Sequence, residues 1–65
     1  EEVKVKAIAN LRRYVDGQKQ PAKTGKTIAR DIVLKVRMHG DWAVIDDGEA
    51  KDLLIHRSMI DEKIN

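Results

Sequence analysis

His39, Trp42 and His56 are the side chains in this sequence best suited to chemistry, and all three fall in one short stretch, HGDWAVIDDGEAKDLLIHRSMI, residues 39–60. A nucleobase presents a flat π face. An indole or imidazole on an exposed sheet surface stacks on it at about 1–3 kcal/mol per base, with little sequence preference. Lys35, Arg37, Lys51 and Arg57 stand on or beside the same segments, where cationic heads hold phosphates. Lys23, Lys26 and Arg30 extend the set from a basic segment, residues 12–30. Trp42 suits the role of main core filler equally well, because large aromatics dominate small cores.

Other chemistries find less support. With no cysteine in the chain, a metal site would need both histidines and Asp41 or Asp52. His56 and Ser58 lie two residues apart, which puts them on one face of a strand without making them base and nucleophile. Asp46, Asp47 and Glu49 lack the spacing of a calcium loop and suit a turn. Gly25-Lys26-Thr27 matches the end of a phosphate-binding P-loop, but Gln20 occupies the position of its first glycine. The sequence therefore points to a non-enzymatic protein with no cofactor.

Two strands joined by an Asp46-Asp47-Gly48-Glu49 turn would position the rings, since Trp42–Ile45 is mirrored by Leu53, Leu54 and Ile55. Residues 1–16 read as a helix, with Val5, Ile8, Leu11 and Val15 at three- and four-residue spacing and Gly17 just past its end. Val3, Val5, Ala7 and Ala9 also alternate with polar residues, so a strand stays open at the start. Residues 17–26, GQKQPAKTGK, lack periodicity and read as a basic loop. Residues 27–38 are ambiguous: Ile28, Ile32 and Val36 suit a helix, while the β-branched run Ile32–Val36 suits a strand. Residues 61–65 form a polar tail.

The pattern of residues 39–60, an aromatic-Gly turn, then Trp42 and Val44, Asp47-Gly48, a hydrophobic pair and His56-x-Ser58-x-Ile60, resembles the RNA-binding OB domain of the S-one ribosomal protein and polynucleotide phosphorylase. Lys51–Ile60 is similar to the second RNA-binding motif of cold-shock proteins. The resemblance covers residues 28–60. It implies a strand at 28–38, because Val36 and Val33 take the apolar positions upstream of the turn, and it implies RNA-binding roles for His39, Trp42 and His56. The expected fold class is α+β: an N-terminal helix followed by a three-stranded antiparallel meander over residues 27–60, an incomplete OB-like barrel. A homodimer would cover its open edges. Leu54 replaces the cold-shock motif's central Phe, and Asp41 stands where a small residue is usual.

At 65 residues and 7.4 kDa the chain makes one small domain, too small for a deep, water-excluding active site. No apolar run approaches the roughly 20 residues that span a bilayer, and no signal-peptide pattern is present, which points to the cytoplasm. The net charge of +2 hides an asymmetry, with cations in excess over residues 1–30 and carboxylates over 31–65. No phenylalanine is present and aromatics make up 3% of the chain, which limits it to one strong stacking platform. These features favour a module that binds single-stranded RNA or DNA. One alternative is a small interaction, dimerisation or regulatory protein that docks on a larger complex through Leu11, Tyr14 and Val15 of the helix. Another is a winged helix, with residues 24–38 helical, the 42–55 hairpin as wing and duplex DNA as target.

Overall fold

Alternation of apolar and polar side chains, not a helical period, governs the start of the chain. Val3 and Val5 are fully buried and Ala9 and Leu11 are 2% exposed, whereas Ile8, central to the expected helical stripe, is 71% exposed. The computed structural model describes residues 1–62. Among them the chain forms β1 (Glu2–Val5), β2 (Ala9–Arg13), β3 (Ala22–Ile28), β4 (Val33–His39), β5 (Trp42–Ile45), β6 (Leu54–His56) and β7 (Ile60–Glu62), with single 3-10 turns at Gly48–Ala50 and Arg57–Met59.

The fold is therefore all-β, and the expected α+β class is wrong. The helix expected over 1–16 is two strands, β1 and β2, separated by the bend at residues 6–8. β-Branched valines at period two fit a pleated, half-buried surface better than a helix. The loop expected over 17–26 becomes β3 from Ala22 onwards. An edge strand gains its stability from backbone bonds to one neighbour and needs no apolar stripe. The single strand expected over 28–38 is the end of β3, a connection and β4. Residues 24–38 contain no helix, so a winged helix lacks its recognition element. Residues 63–65 of the expected tail lie outside the described residues; Asp61 and Glu62 belong to β7.

All pairings are antiparallel, in one sheet of order β3-β2-β6-β5-β4-β1-β7. This open sheet replaces the expected incomplete OB-like barrel. β1 and β7 flank β4 on one side, and β2 and β3 flank β6 on the other. The chain thus supplies its own neighbours for the β4-β5-β6 hairpins, and β3 and β7 are the edge strands of the sheet. Val3, Val5 and Ile60 from one end of the sheet share a core with Ala9 and Leu11 from the other, together with Leu34, Val36, Ala43, Ile45 and Ile55. The sheet must curl for its two ends to meet, as right-handed strand twist favours.

Two turns fix the geometry that matters below. His39 pairs directly with Trp42, leaving Gly40-Asp41 as a two-residue hairpin loop. Gly40 has φ 65°, the left-handed value that the first position of a type II′ turn demands. The β5–β6 connection is longer than the four-residue turn expected. It runs through the Gly48–Ala50 turn and closes with Asp52 at φ 74°, whose N–H donates to the Ile45 carbonyl at 2.7 Å.

Candidate nucleic-acid interface

Paired residues in an antiparallel ladder point to the same side of the sheet. Ala43 and Ile55 pair and face the core; on either side of them Trp42 pairs with His56 and Val44 with Leu54, and these face outward. Arg37 and His39, opposite Val44 and Trp42, share that outer face, as does Arg12 opposite Leu54. Leu54 is wholly buried yet stands apart from the core cluster. The segment after β2 folds back over this outer face. Tyr14, which follows β2, reaches His39 on β4, although β6 and β5 lie between those strands. The Arg12 guanidinium donates to the Pro21 carbonyl at 3.2 Å and anchors the far end of this crossing segment.

Four rings result in a contiguous row. Tyr14 and His39 meet edge to face with centroids 6.3 Å apart, His39 pairs across the hairpin with Trp42, and Trp42 meets His56 edge to face at 4.9 Å. Tyr14 is 53% exposed, His39 is exposed, and Trp42 and His56 are half-buried. The chain contains one Trp, one Tyr, two His and no Phe, so every aromatic ring it has lies in this row. Tyr14 is not among the ring residues expected from the sequence, because a helix over 1–16 masks its alternation with Arg12; period two over residues 9–14 carries the signal.

His56 is anchored through its Nδ1. Its Nδ1 accepts the Ser58 backbone N–H at 3.1 Å, capping the Arg57–Met59 turn, and lies 2.9 Å from Ser58 Oγ. A backbone N–H can only donate, so the neutral imidazole carries its proton on Nε2. The Nδ1 lone pair that a serine nucleophile would need is already engaged, which leaves this pair a structural cap. Among the described residues no group of three or more His, Cys, Asp or Glu gathers as metal ligands.

The cations divide. Arg37 lies on the row's face, and Lys35, two residues earlier on β4, continues the same exposed side. Arg57 closes over the hairpin loop: its N–H donates to the Asp41 carbonyl at 2.9 Å, and its guanidinium stands 3.5 Å from the Gly40 carbonyl and 4.0 Å from the Asp41 carboxylate. The negative charge of Asp41 is thereby offset at the end of the row. With both partners at least half exposed, this pair adds little stability. Lys23, Lys26 and Lys51 do not join the rings but line a separate cleft with Arg13. Arg30 sits in the β3–β4 connection 3.6 Å from Asp31 and belongs to neither group.

The comparisons assign no kinship: no family model, no curated protein and no solved structure matches this chain.

Proposed function

We propose that this chain is a non-enzymatic, cytoplasmic module that binds single-stranded RNA or DNA on the outer face of β4, β5 and β6. The observation that carries it is the gathering of every aromatic ring in the chain into one solvent-accessible row, with Arg37, Lys35 and Arg57 beside it. Random placement over two faces of a sheet would scatter four rings. Bases stack along Tyr14, His39, Trp42 and His56, and the cations take the phosphates. The residues that carry the likeness to S-one-type domains, His39, Trp42 and His56, are three members of this row, which supports the same role without requiring the same fold. A duplex, whose base faces are already stacked, binds more weakly.

Affinity for a short oligothymidylate, measured across salt concentrations, tests this. Three phosphate contacts release counterions with a log–log slope of about −2, taking roughly −0.7 per contact for a single strand. Arg37→Gln makes that slope shallower by about 0.7. Absence of binding at low salt, or binding that is indifferent to salt, contradicts the proposal.

A second reading is an interaction module. The helix that would have displayed Leu11, Tyr14 and Val15 is replaced by β2 and the segment after it, and Leu11 is buried. Ile8, Ile32 and Val33, at 71%, 42% and 57% exposure, are the apolar surface that favours this reading. It predicts a stable protein complex and no affinity for oligonucleotides.

A further inference from the structure

A cleft of about 320 Å³, lined by none of the four rings, opens beside β2 and β3, and four cations converge on it from three elements. Arg13 comes from β2, Lys23 and Lys26 from β3, and Lys51 from the β5–β6 connection. Glu49 is the one carboxylate on its wall; Asp47 lines a neighbouring, more apolar cleft that shares Lys26 and Glu49. None of the four cations has a carboxylate within ion-pair distance among the described residues, whereas Lys4, Lys6, Arg30 and Arg57 each do.

The backbone is shaped to produce this convergence. Lys23 and Lys26 are three residues apart and would face opposite sides of a regular strand. Between them β3 bulges: Asn10 pairs with Thr27 and Arg12 with Lys23, so Leu11 on β2 opposes three residues, Thr24 to Lys26. Gly25 takes φ 79°, Thr24 Oγ1 donates to the Leu11 carbonyl at 2.9 Å, and the Lys26 N–H donates to Thr24 Oγ1 at 3.1 Å. Bulges of this kind re-aim side chains. Asp52, held at φ 74° immediately after Lys51, is a second left-handed position beside the cleft. Protection of an edge strand calls for charge spread along it, not for four cations from three elements around one cleft. Like charges gathered in this way repel unless an anion joins them.

We propose that this cleft is a phosphate-binding site distinct from the ring row, taking closely spaced phosphate groups. They come from a free polyphosphate or from the backbone of a strand that also lies on the rings. The cleft stands on its own geometry and does not depend on the stacking proposal. The probe is inorganic tripolyphosphate, titrated into the ¹⁵N-labelled chain while backbone amide shifts are followed. Saturable shifts confined to residues 13, 23–26 and 49–53 are expected, and Lys23→Gln/Lys26→Gln, two exposed substitutions, weakens binding about tenfold or more. Lys4→Gln, on β1 towards the other end of the strand order, leaves it unchanged. An oligothymidylate of about 12 nucleotides that moves the same amides, and is displaced from them by tripolyphosphate, identifies strand phosphates as the source. An oligonucleotide that leaves those amides unmoved identifies a free polyphosphate. Shifts that do not saturate, that spread over all lysines, or that survive in the double variant overturn the site.

Discussion

Trp42→Ala is expected to weaken binding of a short single-stranded oligonucleotide by about 5- to 150-fold, the equivalent of the roughly 1–3 kcal/mol that one stacked base is worth. Trp42 is the widest π surface in the row, and its half-buried setting holds the indole in place before a base arrives, so little ordering entropy opposes the contact. The indole also packs edge to face against His56, so its loss removes a structural contact as well as a π surface. Trp42→Phe separates the two effects: it keeps a ring over the sheet and should retain most of the affinity. Fluorescence anisotropy of a labelled oligonucleotide reads both variants. If Trp42→Ala binds as tightly as the parent while remaining folded, the indole is not a base platform.

Ile45→Ala is expected to abolish cooperative unfolding at room temperature. Ile45 is fully buried: it has no solvent-accessible surface and lies in the cluster that joins both ends of the curled sheet. Truncating such a residue costs about 2–5 kcal/mol, from lost burial and the cavity left behind. A chain of 65 residues with no disulfide has a single core that rarely supplies more than about 3–5 kcal/mol in all. Thermal circular dichroism should show the parent's sigmoidal transition replaced by a shallow slope. A shift in midpoint of only a few degrees would mean that Ile45 is not central to the core.

How far the sequence reveals this molecule varies by segment, for physical reasons. The pairing of β4 with β5 and β5 with β6 follows from residues visible in the chain: Gly40 at a left-handed position, β-branched Val33 and Val36, and apolar runs on either side of the Asp46–Lys51 turn formers. The N-terminal strands were hidden because Val5, Ile8, Leu11 and Val15 satisfy a helical period as well as Val3, Val5, Ala9 and Leu11 satisfy alternation. Only the exposure of Ile8, a tertiary outcome, separates the two. β3 has almost no apolar signal, since an edge strand with a Thr24–Lys26 bulge is held by backbone bonds and one hydroxyl. For the site, His39, Trp42 and His56 were legible from type and spacing. Tyr14 was not, because its place depends on the segment after β2 crossing the outer face. Lys23, Lys26 and Lys51 were legible as cations, but the cleft that separates them from the rings depends on Gly25 bending β3.

The most direct test of the central claim is a ¹H–¹⁵N titration of the intact chain with a short oligothymidylate at low salt, following the indole Nε1–H of Trp42 and the amides of residues 14, 37–42 and 56–57. The account predicts saturable shifts that map to this face of the sheet, with the indole signal among the largest. An indole resonance that stays in place while the oligonucleotide is in excess would contradict it.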